Sequence, residues 1–122
     1  MCVFCSLDPS RILLDNGHGV VIRDGYPVTE LHSLIIPKRH VGSFFDLIPQ
    51  ERADLLALLD ETRTHLLQQD PSIKSFNIGI NDGKEAGQTI PHCHIHLIPR
   101  RAGDMLDPKG GVRGVIPEKQ KY

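Results

Sequence analysis

Residues 92–98, His-Cys-His-Ile-His-Leu-Ile, constrain this chain more than any other stretch. Imidazole and apolar side chains alternate in strict period two. On extended backbone this puts His92, His94 and His96 on one face of a strand and Cys93, Ile95 and Leu97 on the other. Such a strand needs an apolar layer against its second face. The sequence holds one candidate, Pro49 to Gln69, where Ala53, Leu55, Leu56, Leu58, Leu59, Leu66 and Leu67 form a broad stripe at helical spacing. Pro49 suits the first turn and Asp70-Pro71 stops the helix. The remaining apolar runs are short. Val20 to Ile22 is β-branched and closed by the Asp24-Gly25 turn signal, "HSLIIP" at 32–37 ends on a proline, and "SFNIGIN" at 75–81 alternates through Phe76, Ile78 and Ile80. Short strands separated by turns, with one long helix, define an α+β fold on an antiparallel sheet.

The 122 residues make one domain, with a core over about 1–100 and a C-terminal tail over 101–122. The tail loses all periodicity. Its Gly, Pro and charge suit a mobile segment, whereas "GVRGVIP" is apolar enough to dock. With 14 basic against 15 acidic residues there is no basic surface for nucleic acid. No run of eighteen apolar residues suggests a membrane span, and the N-terminus lacks a leader pattern, so a cytoplasmic protein is expected. Cys2-x-x-Cys5 in a reducing compartment points to metal or redox use rather than a structural disulfide.

A single metal cannot explain all three histidines. Positions i and i+4 of a regular strand lie about 13 Å apart, whereas nitrogen sits about 2.0–2.1 Å from zinc. A division of labour fits better. A neutral imidazole can attack phosphorus if its second nitrogen is oriented and the phosphate charge is met. The preceding loop "NDGKEAGQT" offers Gly83 and Gly87 for close backbone approach, with the Gln88 amide and the Thr89 hydroxyl as donors.

Together these segments resemble the histidine triad superfamily, whose signature of alternating histidine and apolar positions is met throughout His92 to Ile98. The likeness runs from "CVFC" through "DGYPVTELHSLIIPKRHV" and "NDGKEAGQT" to "RRAGD", and is closest to the fragile histidine triad branch. It implies a sheet of about five strands with one long helix, extended across a homodimer. It also implies that His94 is the nucleophile at the α-phosphorus of a purine nucleotide. His96 and Gln88 would contact the reacting phosphate and leaving group, with His32 supporting the triad from behind. Asn81, Gly87 and Thr89 would meet phosphate oxygens, Asp24 the ribose, and Phe4 and Ile22 either the base or the core. The reaction implied is cleavage of a dinucleoside polyphosphate such as diadenosine tetraphosphate. Phosphoramidate hydrolysis and nucleotide binding with little turnover are the alternatives. Leu31 stands where many members carry Gly, and the tail from Asp107 onward departs from that branch. Cys2 and Cys5, with His40 and His92, resemble a structural Cys₂His₂ zinc set in related proteins; two small cysteines packed near a chain end are the simpler alternative.

Overall fold

The computed structural model describes residues 2–122. Strands β1 (Leu14–Asp15), β2 (Gly19–Arg23) and β3 (Ser33–Pro37) precede helix α1 (Pro49–Gln69), which is followed by β4 (Ile73–Gly79) and β5 (Ile95–Arg101). They form one sheet in the order β1-β2-β3-β5-β4, every pair antiparallel. The expected α+β class and antiparallel pairing are observed. Val20, Val21 and Ile22 face Ile36, Ile35 and Leu34 across the β2–β3 ladder, so β-branched side chains fill both faces of the sheet centre.

The two faces are covered differently. Val21, Ile35, Ile95 and Leu97 join Leu55, Leu58 and Leu66 of α1 in one core. Val20, Ile22, Leu34 and Ile36 join Phe4 in a second, smaller core, sealed by Cys2, Leu7 and Ile12 of the N-terminal segment. Gly19 lets α1 sit close to β2, since a Cβ there would lie 2.6 Å from Leu55 Cδ2. The helix bounds are those expected, but its buried stripe is narrower and partly polar: Glu51, Leu55, Leu58, Thr62 and Leu66. Ala53 and Leu56 face outward. Glu51 can be buried because Arg39 Nε and Nη2 donate to its carboxylate at 2.9 and 2.8 Å, as does the Ile48 N–H at 2.9 Å. Thr62 donates its hydroxyl to Leu58 O at 2.6 Å.

Two segment boundaries differ from the sequence reading. Strand β4 begins two residues earlier, at Ile73, and ends at Gly79, which leaves Asn81 beyond it. Strand β5 begins only at Ile95, so His92 and His94 precede the ladder. The reason is local bonding. His92 N–H donates to Ile90 O at 2.8 Å and Cys93 N–H to Val41 O at 2.7 Å, so Pro91 to His94 are tied to a turn and a neighbouring loop rather than to a strand.

The tail is docked. Residues Gly111–Val115 and Pro117–Lys119 form 3₁₀ turns. Tyr122 lies under Lys109 Nζ and the Arg113 guanidinium, 4.9 and 5.0 Å from its ring centre. Gln120 Nε2 donates to Lys109 O at 3.3 Å, and Lys121 pairs with Asp107. Leu31 takes φ 73° without being glycine, so the turn before His32 keeps a left-handed residue, at an order-of-magnitude cost of about 1–2 kcal/mol.

Candidate active site

Backbone groups decide which nitrogen of each histidine carries the proton. At His94, Nδ1–H donates to His92 O at 2.8 Å, which leaves Nε2 with its lone pair free. At His32, Nδ1 accepts from the Val28 N–H at 3.0 Å, so the ring proton sits on Nε2 and is donated to His96 Nδ1 at 2.9 Å. His96 must then carry its own proton on Nε2. The result is a lone pair on His94 beside a donor on His96, the two rings 5.1 Å apart. The expected triad survives, although only His96 lies within the strand.

Burial disfavours the charged forms of His96 and His32. Desolvation, with the neighbouring His94 and His32 against a weaker pull from Asp24, lowers the His96 pKa to about 4. Desolvation likewise lowers His32, which is 2% exposed, against the opposing charge of Asp24. Asp24 Oδ2 lies 3.5 Å from His32 Nε2 and 3.9 Å from His96 Nδ1, while its Oδ1 accepts from Tyr26 N–H at 2.8 Å. Asp24 therefore holds its turn and borders the triad at once. These three side chains lie close enough for a metal, but the His32 nitrogen facing the group is protonated and has no lone pair to give.

His92 points elsewhere. Its Nε2–H donates to Pro37 O at 2.7 Å, and its Nδ1 faces Cys2 Sγ at 3.4 Å, Cys5 Sγ at 3.6 Å and His40 Nδ1 at 3.2 Å. Cys5 Sγ is 3.2 Å from His40 Nδ1, and all four ligand atoms lie within 4.8 Å of one another. A tetrahedron with zinc–nitrogen of about 2.0–2.1 Å and zinc–sulfur of about 2.3 Å has edges of about 3.3–3.8 Å. The donor set and spacing thus fit a four-coordinate metal, and the Pro37 carbonyl fixes the tautomer that leaves Nδ1 free to ligate.

The other expected residues are placed as follows. Gln88 spends its amide on the loop, donating to Gly42 O and Ile90 O at 2.9 and 3.1 Å and accepting from Gly83 N–H at 2.8 Å. These bonds brace the loop. Gly87 is left-handed, at φ 96°, and Thr89 is exposed. Ile22 is fully buried in the second core, packed with Phe4. Phe4 is nearly closed, its ring meeting His94 and His92 edge-on at 5.1 and 5.8 Å. Asn81 lines a cavity of about 670 Å³ together with Asp24, His32 and His96. Asn77, Gly79, Ile98 and the tail residues Val112 and Val115 line it too, and sequence reasoning missed them. A signal existed for two: on a strand alternating through Phe76 and Ile78, Asn77 and Gly79 fall on the opposite face, the one that carries His96.

This is a histidine-triad site on a five-stranded antiparallel sheet. Residues 7–103 match the HIT domain, and the chain belongs to that family. It is similar to the nitrilase and fragile histidine triad fusion protein NitFhit of Caenorhabditis elegans, 39% identical over 84% of this chain and 23% of that protein. The NitFhit crystal structure superimposes with a TM-score of 0.77 over 89% of this chain and 26% of that one. It is also similar to the asymmetrical bis(5'-nucleosyl)-tetraphosphatase of Schizosaccharomyces pombe, 41% identical over 66% of this chain and 44% of that enzyme. A zinc-bound histidine triad family protein from Mycobacterium smegmatis is 34% identical, with a TM-score of 0.73 over 87% of this chain and 79% of that one. The chain thus spans about a quarter of NitFhit and under half of the tetraphosphatase.

Proposed function

We propose that the chain hydrolyses a dinucleoside polyphosphate, such as diadenosine tetraphosphate, at the α-phosphate through a covalent nucleotidyl-histidine. The observation that carries this reading is the proton arrangement: a lone pair on His94 Nε2 beside a proton on His96 Nε2. In the first step His94 Nε2 forms a bond to the α-phosphorus, and the bond from that phosphorus to the bridging oxygen breaks, releasing a nucleoside polyphosphate. His96 Nε2–H donates to the phosphoryl oxygens or the departing oxygen as charge builds there. In the second step water replaces His94, giving the nucleoside monophosphate and restoring the neutral imidazole. His32 keeps the His96 proton on the reacting side. Gly83 and Gly87 let loop N–H groups approach the phosphate chain. Asp24 accepts from a ribose hydroxyl.

The likeness to a tetraphosphatase and to NitFhit supports this substrate class. The Cys2, Cys5, His40 and His92 geometry and the zinc-bound neighbour support a structural zinc, which would hold His92 and so the carbonyl that orients His94. Two copies joined through β4 would bury an unpaired sheet edge on which Ile78 is half exposed. Three free thiols suit a reducing, cytoplasmic setting.

The test is His94→Gly. It should abolish turnover of diadenosine tetraphosphate while adenosine monophosphate still binds, and acid quench of the wild type should trap one labelled nucleotide per chain during turnover. Wild-type-like turnover in the variant would overturn the mechanism, and binding without turnover in the wild type would leave a nucleotide-binding module.

A further inference from the structure

Cys2 and Cys5 share a turn as well as a metal geometry. The Cys5 N–H donates to Cys2 O at 3.1 Å, which closes residues 2–5 into a tight turn. Such a turn keeps its two end Cα atoms within about 7 Å, and a disulfide spans about 4.4–6.8 Å. The two sulfurs already lie within 4.8 Å of each other. They need only approach to about 2.05 Å to bond. Access differs among the three thiols. Cys5 is exposed, Cys2 is half-buried, and Cys93 is 1% exposed inside the α1 core. One sulfur is open to solvent, its neighbour stands beside it, and the third is shut away.

The same turn is connected to the nucleophile. Phe4 sits between the two cysteines in sequence and sets its ring edge-on to His94 and His92 at 5.1 and 5.8 Å. Cys2 packs against the same small core that holds Phe4. Both sulfurs face His92 Nδ1, and Cys5 also faces His40 Nδ1. The His92 carbonyl in turn accepts from His94 Nδ1–H. A change at the sulfurs therefore reaches His94 by two routes, the Phe4 ring and the His92 backbone. Zinc in this set keeps both thiols deprotonated. Thiolate is the form that peroxide oxidises.

We propose that Cys2 and Cys5 are a peroxide-sensitive pair whose oxidation to a disulfide releases the zinc and loosens the packing on His94. This rests on the zinc reading above and adds a modification site to it. The exposed Cys5 thiolate attacks hydrogen peroxide; a sulfur–oxygen bond forms, the oxygen–oxygen bond breaks and hydroxide leaves. The Cys2 thiolate then attacks the Cys5 sulfenic sulfur, forming the disulfide and expelling the second oxygen as hydroxide. The two sulfurs lose two electrons, the peroxide gains them, and two protons from solvent convert both hydroxides to water. A disulfide leaves no thiolate to ligate. Only His40 and His92 remain of the four donors, too few for a closed site. Drawing the sulfurs together also pulls the turn away from these histidines, and Phe4 moves with it. A dithiol reductant and zinc reverse the change.

The experiment follows metal, disulfide and turnover in the zinc-loaded chain exposed to hydrogen peroxide. A chromogenic chelator should record about one zinc released per chain, and mass spectrometry of the digested protein should find Cys2 joined to Cys5 with Cys93 free. Turnover of diadenosine tetraphosphate should fall by about fivefold or more and return on adding a dithiol and zinc. Cys93→Ala should respond as the wild type does. Cys5→Asp keeps four metal donors without a second thiol in the turn, and should hold its zinc under the same peroxide; if it binds none, the wild type and Cys93→Ala decide the case. Zinc retained by the oxidised wild type, zinc lost equally from Cys5→Asp, or a disulfide with turnover unchanged would each overturn the switch and leave the zinc reading standing. A wild type without zinc before oxidation would overturn the zinc reading and the switch together. A wild type without turnover would overturn the hydrolase reading alone, with zinc release and the disulfide still deciding the switch.

Discussion

His32 never touches the reacting phosphorus in this arrangement, so its removal isolates what proton placement is worth. In His32→Ala the donor to His96 Nδ1 is lost, and the imidazole is free to put its proton on either nitrogen. The neutral hydrogen bond contributes about 0.5–1.5 kcal/mol net, and an acceptor left unpaired in a buried site costs about 1–3 kcal/mol. At about 1.36 kcal/mol per decade this predicts a kcat lower by roughly tenfold to a hundredfold, with KM little changed. The same substitution removes the acceptor of the Val28 N–H, so stability falls as well. The two effects separate if kcat is measured at 15 °C on protein shown by circular dichroism to be folded. His32→Gln supplies a control, because its amide can still donate toward His96, and should recover part of the loss. A folded His32→Ala protein with kcat within twofold of wild type would show that His96 holds its proton without help, and the relay would have to be abandoned.

Two further outcomes are expected. Protein purified without chelator should carry about one zinc per chain, and both Cys2→Ser and Cys5→Ser should lose it together with several degrees of melting temperature; less than a tenth of an equivalent in the wild type would leave the cysteines merely packed. Glu51, held at about 2 by Arg39 and the Ile48 N–H, contributes stability that is complete above its ordinary value of 4.5 and lost as pH falls from there toward 2. Because Arg39 is half exposed, that contribution is discounted to on the order of 1–2 kcal/mol. Urea midpoints should therefore drop more steeply between pH 5 and 3 in the wild type than in Glu51→Gln, and parallel curves would sink the assignment.

What could be read in advance followed from side-chain periodicity. The stretch from Pro49 to Gln69 spaced its leucines for a helix and carried its own stop, and Val20 to Ile22 with Leu34 to Ile36 could only be neighbouring strands. The metal set was reachable through its likeness to a Cys₂His₂ set in related proteins, since the cysteine pair alone is ambiguous. Backbone partners were not reachable. The groups that set the three tautomers are Pro37 O, His92 O and Val28 N–H, and any residue type could supply them. Glu51 inside the buried helix stripe was hidden for a related reason: its partner, Arg39, lies twelve residues away in a loop with no periodicity. The tail was ambiguous because it docks through glycine turns and a tyrosine clasp rather than through a repeating pattern.

Displacing residues 92–94 from the ladder bears on how the site stays rigid. A strand register would have fixed these residues through regular hydrogen bonds; here the work passes to His92. Its N–H is bonded to Ile90 O, its carbonyl to the His94 ring, its Nε2–H to Pro37 O, and its Nδ1 faces the two cysteines and His40. Each polar group of this fully buried residue therefore ties a different part of the chain to the nucleophile. Cys93 between the two histidines turns the other way into the α1 core, where burial raises its thiol to about 11 and keeps it protonated. The alternation that looked like a strand is thus retained for its side-chain directions. In the proposed reaction one histidine anchors, the next attacks, and the third donates from the start of β5, where the ladder takes over.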